Sequence, residues 1–327
     1  MRRRDFVTVA LTGAAGVLAA PAVQAQGTGQ GSWPSRPVRL LVPFIPGSAP
    51  DVSARQIAEK IGPALGQAVV VENRGGAGGN IGFEAAARSA ADGYTLMLGT
   101  NSLLINPALT RRTLAFDAMR DFIGINIVFA LPHLLIVPPN GPDSAQALLV
   151  SLRARPDQNY ASGGNGSGAH LAAEMFKAKA GVQAVHVPFR GAPDIVNNVM
   201  SGQVQFGFPT LSTATELVKS GRLKALAVTS IARNHALPDV PPLGDAVPGF
   251  DLTSWFGLFA PTGTPPEVVR RVDAAVRAAL ADTAWLARVT ADGTAGVGMG
   301  PDAMPEFLRT EAAKWGEAVR LSGAQVD

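Results

Sequence analysis

No cysteine occurs among the 327 residues. Disulfides, thiolate metal sites and cysteine nucleophiles are therefore excluded together. A chain of this length can bury a core that needs no covalent staples, and it suits two domains better than one. Aromatic residues make up 6% and charged residues 16%. Arg2, Arg3, Arg4 and Asp5 all lie in the first 25 residues, so the formal charge of +3 falls to +1 without them. With no basic stripe and few aromatic rings, no nucleic-acid partner is expected. The four histidines, His133, His170, His186 and His235, fall in no His-Glu-x-x-His or His-x-His pattern, and no paired-carboxylate spacing accompanies them. Neither a metal nor a cofactor is expected. No apolar run reaches the roughly 20 residues that a spanning helix needs.

The N-terminus carries three arginines, a short apolar stretch over 7–20 and Val23-Gln24-Ala25 at a cleavage point. This pattern predicts an export signal over 1–25 that is removed. Arg3-Arg4-Asp5-Phe6 fits the twin-arginine core, although arginine-rich leaders also occur in ordinary Sec signals. Residues 26–32, rich in Gly, Gln and Ser, read as a flexible tether. From there strands and helices alternate. "VRLLVPFIPGSAPDVSARQIAEKI" gives a near-continuous apolar strand over 38–42, a turn over 43–50 and helical spacing at Ala54, Ile57, Ala58 and Ile61. Ser48 is the candidate N-cap of that helix. Further strands are expected at 68–71, 94–98, 134–137, 184–187, 204–208, 224–228 and 253–260. Helices are expected at 81–90, 144–154, 171–180, 192–201 and 213–220. Another opens with Thr264 as cap, and a last one runs over about 301–321. This order predicts an α/β chain of largely parallel sheets flanked by helices.

Two enzymatic or nucleotide-binding readings meet obstacles. A serine hydrolase would pair Ser162 or Ser167 with His170, but Gly-x-Ser-x-Gly fails at both serines. In "NRGGAGGNIG", Gly76 and Gly78 fit the first two places of Gly-x-Gly-x-x-Gly and Ile81 occupies the third, so this loop reads as a tight strand-to-helix turn. Three other loops, "PFIPGSAPD", "YASGGNGSGAH" and "VPFRGAPD", each follow a strand and open a helix. In open α/β sheets ligands bind at the carboxyl ends of strands, and a helix start offers N–H groups to an anion. Asn101, just past another strand, is either a further amide at this edge or a plain turn residue. Together the loops suggest a cleft that holds a carboxylate with backbone amides.

"RPVRLLVPFIPGSAPDVSAR", "VVVENRGGAGGNIG", "ADGYTLMLG", "NYASGGNGSGAHLAAEMF", "VHVPFRGAPDIVNNVMSGQVQFGF" and "WFGLFAPTGTP", in that order, resemble the extracytoplasmic solute receptors of tripartite tricarboxylate transporters, the Bug family. The resemblance runs through essentially the whole mature chain. It departs at Ser48, where the family usually has glycine, and at Phe189-Arg190-Gly191 in place of Tyr-Lys-Gly. It implies a two-domain periplasmic binding protein (Venus-flytrap) fold, with a small carboxylate held between domain 1 (33–130 plus 252–327) and domain 2 (131–251). Chain crossings are expected near 129–132 and 250–254, and the C-terminal helices are expected to pack back on the first domain. The resemblance places one pincer at Phe44, Gly47, Ser48, Ala49 and Asp51. It places the other at Ser162, Gly163, Asn165, Gly166, Ser167 and His170, with Gly191 and Asp194 nearby. Asp194 is either a partner for a ligand amino group or a charge at a helix start. The resemblance also implies periplasmic location, membrane subunits of a tripartite transporter as partners, a monomer, and binding without turnover. A ligand sensor for a membrane signalling partner is the alternative on the same fold.

Overall fold

A computed structural model describes residues 33–110 and 114–325; the expected export signal and tether lie outside the described residues. The run read as a buried strand is β1 (Val38–Val42). Parallel neighbours flank it on both edges, β2 (Val69–Asn73) and β3 (Thr95–Thr100). This explains why its residues are apolar with little alternation: helices cover both faces of such a sheet. Three antiparallel pairings extend the sheet through β10 (Thr253–Pro261), β4 (Phe122–Pro132) and β11 (Ala295–Met299), giving the order β11-β4-β10-β3-β1-β2. The second sheet runs β7 (Val185–Pro188), β6 (Asn159–Ser162), β8 (Phe206–Gly207), β5 (Leu134–Val137) and β9 (Lys224–Val228). Its β6 is parallel to both neighbours, while β5 is antiparallel to both of its own. Both sheets are therefore mixed.

Each strand-to-helix loop begins at the C-terminal end of a strand. α1 (Ala49–Leu65) follows β1, α2 (Asn80–Ala87) follows β2, and α3 (Ser102–Leu109) follows β3. In the second half α5 (Gly168–Ala180) follows β6 and α6 (Ala192–Met200) follows β7. Since β1, β2 and β3 are parallel, their three loops emerge at one end of the sheet.

From Pro34 onward the chain forms one compact unit. The chain passes from the first sheet to the second at His133 and returns between Val228 and Thr253. His133 ties these crossings together. Its Nδ1–H donates to the Phe208 carbonyl at 2.8 Å, its Nε2 lies 3.2 Å from Ser254 Oγ, and its backbone N–H donates to Thr229 Oγ1 at 2.8 Å. The C-terminal helix α10 (Met304–Ser322) also joins the halves. Its Met304 and Leu308 pack with Leu41, Phe83 and Phe259, whereas Trp315, Ala318 and Val319 pack with the core of the second sheet. α10 thus straddles both halves instead of packing only on the first. Nineteen residues at about 1.5 Å each give it the reach. Within it the buried Glu311 carboxylate accepts from Trp255 Nε1 at 2.9 Å and Trp315 Nε1 at 2.8 Å.

The remaining departures from the sequence expectation have local causes. The helix after β10 is α8 (Pro266–Ala281), capped at Pro265. Thr264 is not its cap, because its hydroxyl donates back to the Pro261 carbonyl at 2.8 Å. Ser48 occupies the N-cap position of α1, but its hydroxyl donates to the Ile45 carbonyl at 2.7 Å and caps no helical N–H.

Candidate functional site

A cavity of about 390 Å³ opens where the loops of the two sheets converge. Phe44 supplies one wall from the loop after β1, with Ala77, Gly78 and Asn80 from the loop after β2. Ser102, Asn106, Leu109 and Thr110 come from α3 and its end, and Asn165, Gly166 and Ser167 from the loop after β6. The lining is therefore drawn from both sheets.

The first pincer loop is held by a buried carboxylate. Asp51 is 3% exposed. It accepts the Gly47 N–H at 2.8 Å, Asn73 Nδ2 at 2.9 Å and Arg55 Nε at 3.1 Å. Asn73 Nδ2 also donates to the Phe44 carbonyl at 3.0 Å, which ties the wall residue to the same knot. Burial by itself would raise the Asp51 pKa, but the Arg55, Gly47 and Asn73 bonds outweigh it and hold the carboxyl below its ordinary value. The Gly47 amide and Asp51 thus serve the loop's shape. The N–H groups of Ala49 and Asp51 in the first turn of α1 donate to no other group among the described residues.

The second pincer rests on a stack of rings. Ser162 is wholly buried. Its Oγ lies 2.5 Å from His186 Nε2 and accepts the Gly164 N–H at 3.1 Å. His186 stacks on His170 at 4.1 Å between centroids and on Tyr160 at 5.0 Å. Tyr160 donates its hydroxyl to Glu174, which also holds Lys177 at 2.8 Å. His170 Nδ1 accepts the Gly166 N–H at 3.1 Å, so the neutral ring carries its proton on Nε2. Burial, together with the neighbouring His186, pushes the His170 pKa down to about 4. Burial also lowers His186, and Tyr160 is raised by burial with Glu174 adding to it. At neutral pH both imidazoles are uncharged, and the stack acts as an apolar bed under the loop.

Ser167 caps α5, its Oγ accepting the His170 N–H at 3.3 Å, and this leaves its hydroxyl proton for the cavity. The N–H groups of Asn165, Gly168 and Ala169 donate to no group among the described residues. Gly166 sits at φ +73, where a side chain is strained, and an added Cβ would stand 2.6 Å from Leu109 Cδ1. The third loop touches the second where Gly163 faces Gly191; a Cβ on Gly163 would lie 3.3 Å from Gly191 Cα.

Not every expected residue reaches the cavity wall. Phe44, Asn165, Gly166 and Ser167 line it; Gly47 and Ser48 follow Phe44 in its loop, Ala49 and Asp51 open α1, and Ser162, Gly163 and His170 flank the second loop without lining the wall. Asn101 is buried at the start of α3, its carbonyl accepting from Leu104 and Ile105. Asp194 accepts from Arg190 at the mouth of α6 and does not line the cavity. The hydrolase pairing does not form: Ser162 meets His186 and not His170, and Ser167 meets only the backbone of His170. The residues missed were Ala77, Gly78, Asn80, Ser102, Asn106, Leu109 and Thr110. Their signal was topological: the loops after β2 and β3 share a sheet end with the loop after β1. Among the described residues no cluster of His, Asp or Glu suits a metal ion, and no helix is long and apolar enough to cross a membrane.

A family described as Tripartite tricarboxylate transporter family receptor matches residues 53–323. Protein BugT of Bordetella pertussis is 34% identical over 299 residues, 90% of this chain and 92% of that one. Among solved structures, R. palustris Rpa4515 with adipate is 33% identical with a TM-score of 0.77, covering 90% of this chain and 100% of that one. MatC from Rhodopseudomonas palustris, with bound malate, is 29% identical with a TM-score of 0.72, covering 88% and 99%. The two mixed sheets flanked by helices are the two-domain α/β fold of these receptors. Fold and sequence agree over nearly the whole described length, and the chain belongs to the tripartite tricarboxylate transporter receptor family.

Proposed function

We propose that the chain is a periplasmic receptor that captures a small carboxylate in the cavity between its two sheets and passes it to the membrane subunits of a tripartite transporter. The observation that carries this reading is the cavity's double origin, with walls from loops of both sheets. A ligand in it would bridge residues 33–130 plus 252–327 on one side and 131–251 on the other, and closure would desolvate its contacts and strengthen them. The free N–H groups of Asn165, Gly168 and Ala169 and the Ser167 hydroxyl suit one carboxylate. From the first half, the N–H of Ala49 at the start of α1 would meet the ligand on closure. Gly191 and Asp194 would join only on closure. Relatives solved with adipate and malate support the ligand class. Binding is reversible and without turnover, by a monomer.

Native mass spectrometry of the freshly purified protein tests this. The expected result is a one-to-one adduct of a small organic acid, or its appearance when a carboxylate mixture is added. A chain that carries and takes up none contradicts the proposal.

A further inference from the structure

We propose that Asn80 and Asn106 form the subsite for the ligand end remote from the gripped carboxylate, and that this subsite selects a carboxamide over a second carboxylate. The inference rests on the receptor reading above and deepens it. Asn106 Nδ2 donates to the Gly78 carbonyl at 3.0 Å and to Asn80 Oδ1 at 2.7 Å. A main-chain carbonyl can only accept, so the first bond settles which end of the Asn106 amide is nitrogen. Asn106 then fixes Asn80, whose oxygen must face it. The orientation of both amides follows from one unambiguous acceptor.

Two groups are left over. Asn80 Nδ2 keeps both of its N–H donors and Asn106 Oδ1 keeps its lone pairs, and neither has another partner among the described residues. Both side chains line the cavity. The loop beneath them is not relaxed: Ala77, at φ 48, is the non-glycine residue with positive φ among those described, and Gly78 follows at φ 66. Asn106 holds that loop through the Gly78 carbonyl. A backbone kept in a sparsely populated region by a side-chain bond marks a position that the surrounding structure over-determines.

A donor beside an acceptor is complemented by an acceptor beside a donor. A carboxamide has that pattern, its carbonyl accepting from Asn80 Nδ2 and its N–H donating to Asn106 Oδ1. A second carboxylate offers acceptors only. One of its oxygens is served by Asn80, while the other turns a negative charge on Asn106 Oδ1 and loses its water. A carboxylate-only ligand with an alkyl end leaves both amides unpaired once the cavity closes. The order of affinity is therefore monoamide, then diacid or alkanoate of the same length. The pair works by fixed polarity, since Asn106 cannot flip without breaking the Gly78 bond, nor Asn80 without losing the bond from Asn106.

Titration calorimetry of the full mature chain against succinamate, glutaramate and adipamate, each beside the matching diacid and alkanoate, tests this. The expected result is at least one monoamide bound about tenfold or more tighter than its diacid, a difference of about 1.4 kcal/mol. In Asn80→Ala that preference should fall to near unity. Asn80→Ser, which keeps a small polar group at the start of α2, serves if the alanine variant does not fold. Diacids bound as tightly as monoamides at every length, or a preference that survives Asn80→Ala, overturn the inference and leave the receptor reading intact. Silence toward every acid, alkanoates included, overturns both.

Discussion

Replacing Asp51 by Asn removes one negative charge from the knot behind Phe44 while keeping its size. Three donors converge on this carboxylate: Gly47 N–H at 2.8 Å, Asn73 Nδ2 at 2.9 Å and the Arg55 guanidinium at 3.0–3.1 Å. The Arg55 side chain is 55% exposed, so its ion pair is screened and contributes under about 1 kcal/mol. Bonds from Gly47 and Asn73 to a charged, buried acceptor contribute about 1.5–3 kcal/mol each. The variant's amide has one oxygen and can keep only one of these. Asn73 cannot turn to help, because the Phe44 carbonyl holds its nitrogen. The net cost is about 2–4 kcal/mol, and Tm should fall by about 4–10 °C at pH 7. The sign with pH follows from the lowered pKa of Asp51. Its contribution is fully present above the unfolded value, about 4, and is lost as pH falls through the folded one. The gap in Tm between wild type and variant should therefore narrow below pH 4. Thermal melts by circular dichroism from pH 7 to pH 3 measure it. A gap under 1 °C at pH 7, or one that does not narrow in acid, refutes the reasoning.

Two further outcomes follow from the second pincer. Gly166→Val places a β-branched side chain at φ +73 with its Cβ 2.6 Å from Leu109 Cδ1. The backbone cost of about 1–2 kcal/mol lowers Tm by a few degrees. The displaced loop should lower carboxylate affinity by more than about tenfold, that is by at least about 1.4 kcal/mol, read by calorimetry beside the melt. His170, with its pKa near 4 in the fold, binds its proton more readily when unfolded, near pH 6.5. Stability therefore falls as pH drops from about 6.5 to 4 and levels below that, and His170→Gln should flatten that slope in urea titrations across the same range. An equally steep slope in the variant would assign the acid sensitivity elsewhere.

The sequence spoke most clearly where one interaction dominates. β1 was legible because burial on both faces demands Leu40, Leu41 and Val42 in succession. β5 and β9 were legible for the same reason. β4 was not, because Gly124 and Asn126 interrupt its apolar run, although Gly124 is required by Met304 packed against it and Asn126 donates to Asp273 at 2.7 Å. β11, with Gly296 and Gly298 in five residues, has little strand propensity and exists through its pairing with β4. α3 carries Pro107, which speaks against a helix, and its burial depends on contacts with the second core that no local pattern encodes. The pincer loops were legible as strand-to-helix turns. Ser162 and Gly47 turn inward to hold those loops, a consequence of His186 and Asp51 that spacing alone does not carry. Asn80 and Asn106 lie 26 residues apart and meet only because β2 and β3 flank β1.

Titration calorimetry of residues 26–327 against mono- and dicarboxylates of three to eight carbons, with Gly166→Val as the paired control, tests the central claim most directly. The account predicts one-to-one binding of at least one acid by the wild-type chain and at least a tenfold loss in the variant, about 1.4 kcal/mol or more. No heat from any acid, or binding that the variant keeps unchanged, would contradict a carboxylate site at this cavity.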